Sequence, residues 1–262
     1  IGDYREAYDA WDDVINISRR SGDDNYVKDS PEVMSAYESM IEVLMKDGRF
    51  GLAKEYIRSF ENSLATVLRY KNIYQNKIDH MKVILASYDQ NWPLAKRDLQ
   101  NIVRDTVTVP TDHPERLKYL ETAYKISIKL EELKRAGTYL EELLYTALNS
   151  YGEKSPIYQR YKVISSDYHL NNERLNDSLK NELEMAYGNG VKNVWLPAHK
   201  DFHQYQKYYL DYLETFDRNR EALQEMDSII DYFRSNDIKN FNCAIQLDEY
   251  ARFQYNLGYY HE

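Results

Sequence analysis

A short pattern that returns along the whole chain constrains this fold more than any other feature. In Gly2-Asp-Tyr4-Arg-Glu-Ala7-Tyr-Asp-Ala-Trp11, a Gly stands five residues before an Ala, an aromatic three before it, and a large apolar residue four after it. Asp47-Gly48-Arg-Phe50-Gly-Leu-Ala53-Lys-Glu-Tyr-Ile57 repeats the pattern. Asn91-Trp92-Pro-Leu-Ala95-Lys-Arg-Asp-Leu99 and Leu133-Lys-Arg-Ala136-Gly-Thr-Tyr-Leu140 keep it without the Gly, and Ala222-Leu-Gln-Glu-Met226 keeps its second half. Three residues further on stand Val14, Phe60, Ile102, Leu143 and Ile229. Counted from the aromatic, these positions share one face of a helix. The Ala anchors are 46, 42 and 41 residues apart, and Ala222 follows Ala136 by 86, two units of 43. A degenerate copy is expected in that gap, with Leu175-Asn-Asp-Ser-Leu179 the best candidate and Leu in place of Ala. Gly258-Tyr-Tyr260 sets up a further anchor one residue past the last position of the sequence.

A second class of helix fills the space between the anchored ones. Ser30-Pro31 and Ser155-Pro156 pair an N-cap with Pro at the first helical position. Apolar stripes follow at helical spacing: Val33, Tyr37, Met40, Ile41 and Leu44; Tyr74, Ile78, Met81, Leu85 and Tyr88; Leu117, Leu120, Tyr124 and Ile128. Pro197 is expected to open a long helix through Phe202, Tyr205, Tyr209, Leu213 and Phe216, and Gly188-Asn-Gly190 to end the helix before it. No stretch alternates as a strand would over more than four residues. The chain reads as all-α, a row of hairpins in which a helix A is followed by an anchored helix B. Such a hairpin cannot bury its face alone, so stacking supplies the core. A period near 40 thus replaces the one or two globular domains that 262 residues would suggest, and a single array over residues 1–262 is expected.

The Gly-x-Tyr and Ala-x3-large elements resemble helix B of the tetratricopeptide repeat (TPR). That resemblance implies a right-handed α-α superhelix of about six TPR-like units, with A helices on the concave side and B helices on the convex side. The usual unit is about 34 residues with a Trp-x2-Leu-Gly-x2-Tyr signature in helix A; here units run from 41 to 46 and the signature is absent. The long units and the 26 tyrosines are similar to TPR-like sensor portions of bacterial membrane-bound two-component proteins. This second resemblance implies a bacterial signalling context and favours a periplasmic setting over a cytoplasmic one. A start inside a repeat, without Met, fits a fragment of a longer chain.

Composition excludes several classes. A net charge of −9 argues against a surface that tracks nucleic acid. The single Cys243 permits neither a disulfide framework nor a Cys-based zinc site. No apolar run reaches membrane-spanning length, and no signal peptide stands at the start. A Gly-rich phosphate loop, a nucleophile elbow and a Cys/His pairing are all missing, so a non-catalytic protein without cofactors is expected.

Three features remain as candidate sites. His199 and His203 have the spacing of a two-His metal pair on a helix, without a third ligand; a solvated helix face is the ordinary reading. Asp12-Asp13 points to two sides of its helix and reads as surface charge, and Asp23-Asp24 belongs to a turn cluster. Tyr37, Tyr74, Tyr124 and Tyr209 sit on core stripes with their hydroxyls at the rim. The third feature appears when charges are counted by helix class. The A helices at 70–88, 114–130 and 155–168 are each net basic, whereas the B helices around Ala7, Ala136, Leu175 and Ala222 are net acidic. Lys118, Lys125 and Lys129 share a stripe with Thr122, and Asn72, Asn76 and His80 lie on the preceding A helix. Ordinary solvated lysines in an acidic protein are the plainer reading. The functional reading is a groove that takes a protein or an acidic, carboxylate-bearing peptide. The alternative ligand class is a carbohydrate or small molecule stacked on the tyrosines.

Overall fold

The expected alternation of A and B helices is what the chain forms. A computed structural model describes residues 5–20, 30–65, 71–105, 109–111, 113–172, 177–199 and 202–257. Twelve α-helices and no strand occur among them: α1 (Arg5–Arg20), α2 (Pro31–Lys46), α3 (Phe50–Leu64), α4 (Lys71–Tyr88), α5 (Trp92–Arg104), α6 (Glu115–Lys129), α7 (Leu133–Tyr151), α8 (Pro156–Asn172), α9 (Asp177–Tyr187), α10 (Phe202–Thr215), α11 (Asn219–Ser235) and α12 (Phe241–Asn256). The even-numbered helices are the A class. Neighbours pack in sequence order, and A helices also touch the next A helix, α2 against α4, α4 against α6 and α8 against α10. The chain divides into two units, Gly2–Tyr139 and Leu140–Glu262.

The recurring pattern can now be read atom by atom. Four A-to-B turns lie among the described residues, and in each the residue five before the anchor is left-handed: Gly48 (φ 73°), Gln90 (φ 56°), Glu131 (φ 58°) and Asp217 (φ 55°). The next residue donates its N–H back across the turn, Arg49 to Leu44 O, Asn91 to Ala86 O, Glu132 to Ser127 O and Arg218 to Leu213 O, at 2.8–2.9 Å. This closure satisfies carbonyls that the end of helix A would otherwise leave without partners. That same residue's carbonyl then accepts from the anchor N–H, Ala53, Ala95, Ala136 or Ala222, at 3.0–3.1 Å. The Gly was lost from three copies, but the conformation that it favours was kept.

Each anchor is fully buried, as Ala53, Ala95, Ala136 and Ala222 are 0% exposed, and Phe60, Leu143 and Leu140 on the same faces are equally enclosed. In the unit Gly2–Tyr139, one core joins Ile15 of α1 to Met40 and Ile41 of α2, Phe60 of α3 and Ile78 of α4. Tyr37 is 1% exposed, lies parallel to Phe60 with centroids 5.0 Å apart, and keeps its hydroxyl 3.2 Å from Ser59 Oγ. The side chain of Ala7 lies outside the described residues. In the unit Leu140–Glu262, Leu183, Leu213, Ala222 and Phe253 centre the core.

The buried residues of α9 are Leu183, Ala186 and Tyr187, and Leu179, 43 residues from both Ala136 and Ala222, is half-buried, unlike the four enclosed anchors. Leu175 lies outside the described residues, as does the turn at 258–262. Two expectations are corrected here. Gly188-Asn-Gly190 does not end α9 but carries it on as a π-helical turn to Lys192. Gly190 is needed there because a Cβ would stand 2.4 Å from Gln159 Cβ of α8. The next helix opens at Phe202, and Pro197 lies in the turns before it.

The turn geometry predicts that Glu131→Gly stabilises the chain and that Gly48→Ala destabilises it, each by about 1 kcal/mol, because only Gly enters the left-handed region without a Cβ clash, an advantage partly offset by the greater freedom of Gly in the unfolded chain. Ala53→Leu, which overfills the helix contact, should cost about 1–3 kcal/mol. Urea denaturation midpoints measure all three.

Candidate functional site

Within the unit Gly2–Tyr139, the outward faces of α2, α4 and α6 line a groove in two connected parts. The first, of about 340 Å³, is bounded by Glu38, Glu42 and Lys46 of α2, Lys77 and His80 of α4, and Glu115, Lys118 and Tyr119 of α6. The second, of about 510 Å³, is apolar, with Ile84, Trp92, Ile126 and Ile128 on its walls and Lys125 and Lys129 at its rim. Ile84, Tyr88 and Thr122 line both parts and make them continuous. Tyr88 is 54% exposed, although its ring also rests on Phe50 with centroids 4.5 Å apart.

His80 is held in one protonation state. Its Nε2 lies 2.8 Å from Thr122 Oγ1, and the Thr122 hydroxyl donates to Lys118 O at 2.9 Å. The hydroxyl oxygen therefore accepts, so the imidazole carries its proton on Nε2. Burial, and secondarily the charge of Lys118, pushes its pKa down to about 4. Beside it Tyr119 is 1% exposed, and its hydroxyl has no partner among the described residues. Burial, then the carboxylates of Glu115 and Glu38, raise that phenol.

The groove lysines are largely matched by carboxylates. Lys77 Nζ is 2.7 Å from Glu38 Oε2, Lys118 3.5 Å from Glu115, Lys125 2.6 Å from Glu121 and Lys46 3.9 Å from Glu42. Burial pulls the Lys77 ammonium down, but the bond to Glu38 and the charges of Glu38 and Glu115 outweigh it and the net shift is upward. Lys129 is exposed and makes no ion pair with the described residues.

The structure thus brings His80, Lys118, Lys125 and Lys129 to one groove. Asn76 is not part of it, because its Nδ2 donates to Asp105 Oδ2 at 3.0 Å and ties α4 to the end of α5. The side chain of Asn72 lies outside the described residues. What the sequence reading missed is the acidic contribution of α2, the aromatic pair Tyr88 and Trp92, and Tyr119. Counting α2 with the other A helices would have exposed Glu32, Glu38 and Glu42 against a single Lys46.

His199 and His203 do not share a helix. His199 precedes α10 and stacks on Trp195 with centroids 4.5 Å apart, while His203 in α10 has Nδ1 3.2 Å from Glu249 Oε2. Among the described residues no group of three or more His, Cys, Asp or Glu side chains could hold a metal ion, and no helix is long and apolar enough to cross a membrane. The A helices of the unit Leu140–Glu262 instead gather carboxylates. Asp211, Glu214 and Glu249 line a cavity of about 210 Å³ with Lys207 and Arg252. On α8, burial and then the charge of Asp211 lift the Asp167 carboxyl to about 6.

No family model and no curated protein matches this sequence. The fold is similar to the crystal structure of BtubC (BKLC) from P. vanneervenii, with a TM-score of 0.62 at 12% identity, over 100% of this chain and 95% of that one. At that identity the likeness shows a shared helical architecture.

Two titrations follow from the site. The folded state keeps His80 neutral down to about pH 4, whereas the unfolded chain protonates it near 6.5. Its contribution to stability is complete above about 6.5 and is lost as the pH falls toward 4. In a thermal-unfolding series over pH 4–8, His80→Gln should remove that part of the slope. Asp167 has the opposite sign: the folded state binds a proton that the unfolded chain releases above 3.8, so stability is lost as the pH rises through about 6. Asp167→Asn should raise the melting temperature at pH 8 and change it little at pH 4.

Proposed function

We propose that this chain is a non-catalytic scaffold or sensor module that binds a protein or peptide segment in the groove of α2, α4 and α6. The observation that carries this reading is the continuity of a polar, ion-paired stretch with an apolar one on a single wall of A helices. Peptides present that mixture, with side chains for the apolar stretch and backbone amides and charges for the polar one. The groove's titratable groups serve poorly as catalysts. His80 stays neutral with Nε2 committed to Thr122, and the lysines beside it sit next to carboxylates. A second reading has one observation in its favour. The exposed face of Tyr88, with Trp92 nearby, is a platform on which a sugar ring could stack.

Arrays of peptides and glycans probed with the purified chain separate the two. Binding to acidic or mixed-charge peptides that weakens between 50 mM and 500 mM salt supports the groove reading, since exposed charges are screened within about 10 Å at 0.1 M. Salt-insensitive glycan binding supports stacking. On the peptide reading, Lys125→Glu with Lys129→Glu should weaken binding of an acidic peptide about fivefold or more, by loss of attraction and addition of repulsion. Unchanged affinity in isothermal titration would remove these lysines from the site.

A further inference from the structure

We propose that the groove reads charge order. The bound segment places a Lys or Arg at the early turns of α4 and α6, an apolar side chain over Ile84, Tyr88 and Ile128, and an Asp or Glu at the last turns. This inference rests on the peptide-binding reading and specifies its ligand. It departs from the acidic peptide that a count of lysines on α4 and α6 suggests.

The basis is the segregation of charge along the groove. The first part holds Glu38, Glu42, Glu115 and Glu121 against Lys46, Lys77 and Lys118, so carboxylates are in excess by one, and Lys46 stands at its far end in the last turn of α2. Glu38 and Glu115 are also the least solvated, with side chains only 17% and 22% exposed, so water screens them less than it screens rim charges. Each carboxylate has about four acceptor sites. Lys77 uses one on Glu38, and Lys118 stands 3.5 Å from Glu115, which leaves acceptor capacity for an incoming cation. At the other end the balance reverses: Lys46 in the last turn of α2 stands 3.9 Å from Glu42, Lys125 pairs with Glu121 one turn back, and Lys129 makes no ion pair with the described residues. Between the two ends, the walls of the second part are apolar and take the uncharged side chain.

The dimensions match a short peptide. Glu115 to Lys129 spans about 21 Å at 1.5 Å per helical residue. An extended segment covers that in roughly six or seven residues at about 3.3 Å each. A uniformly acidic segment would bring its leading carboxylates against Glu38 and Glu115, and a uniformly basic one its trailing ammonium groups against Lys125 and Lys129. Both arrangements are repulsive at one end.

The test uses the full chain and a library of acetylated, amidated ten-residue peptides with one central Leu and flanking positions of Arg, Glu or Ser. Affinities are read by fluorescence anisotropy at 50 mM salt. Peptides with Arg on one side of Leu and Glu on the other should bind about fivefold tighter than all-Glu or all-Arg peptides, the scale of one exposed ion pair gained or lost. Glu42→Gln with Glu115→Gln should erase the advantage over the all-Glu peptides, and Lys125→Gln with Lys129→Gln the advantage over the all-Arg peptides. Circular dichroism melts of both variants establish that they remain folded. All-Glu peptides that bind as tightly as the mixed ones, or a ranking that ignores both variants, overturn the charge-order inference and leave the peptide-binding reading standing. If no peptide in the library binds the folded chain, the peptide-binding reading is overturned and the inference goes with it.

Discussion

The close approach of two helices at a buried alanine is the constraint on which each hairpin depends. Ala53, Ala95, Ala136 and Ala222 are entirely enclosed, and their single methyl groups suit a close helix contact. The turn leads into that contact: the residue five positions earlier is left-handed in all four hairpins, and the backbone bond after it closes the turn. Gly48 adopts this conformation without strain, whereas Gln90, Glu131 and Asp217 hold it at a cost of about 1–2 kcal/mol each. Their strain is offset by the backbone bond across the turn and by the core that the closed hairpin buries. The turn is thus a local feature maintained by a tertiary one.

The hairpin contact also decides where function can lie. The B helices spend their apolar faces inside the unit, as the enclosure of Phe60, Ile102 and Leu143 shows. The A helices meet one another edge to edge, α2 with α4 and α4 with α6. Their outer sides consequently form a shared wall on which residues distant in sequence become neighbours. Lys77 reaches Glu38 across 39 positions, and His80 reaches Thr122 across 42, both close to one repeat. Side chains at one register of successive A helices are adjacent in space, so each repeat can contribute one group to a common site.

This register explains what was legible in the sequence and what was not. The helix order, the pairing into hairpins and the core stripes could all be read because apolar periodicity and turn chemistry are local signals. Pro197 looked like a helix start because Pro favours that position, but Pro favours turns equally. For the site, His80, Lys118, Lys125 and Lys129 line one groove, yet lysine counts alone misjudge its charge. A lysine's partner lies either three or four positions away on its own helix, as Glu121 does for Lys125, or one repeat away, as Glu38 does for Lys77. Helix-by-helix net charge records the first kind and misses the second. Asn76 shows the converse error, since a polar side chain on an A helix can turn inward to the hairpin rather than out to the groove.

The charge gradient along the groove has a source in helix physics. A helix is stabilised by acidic side chains in its first turn and basic ones in its last, by about 0.3–1 kcal/mol each, because its N-terminus carries partial positive charge and its C-terminus partial negative charge. Helix α2 has Glu32 in its first turn and Lys46 in its last, and α6 has Glu115 and Lys129 in the same places. In a single helix this preference has no consequence for neighbours. In the wall of α2, α4 and α6 neighbours matter: Glu38 of α2 meets Lys77 of α4 and His80 of α4 meets Thr122 of α6, so corresponding turns of these three helices lie side by side. The charges that α2 and α6 favour for their own stability then fall at the same ends of the groove, while α4 between them has no acidic residue in its first turn and no basic one in its last. On the charge-order proposal, the ends of α2 and α6 supply the surface that distinguishes the two ends of a ligand, and the ion pairs within the wall determine how much of that gradient is left for a partner to feel.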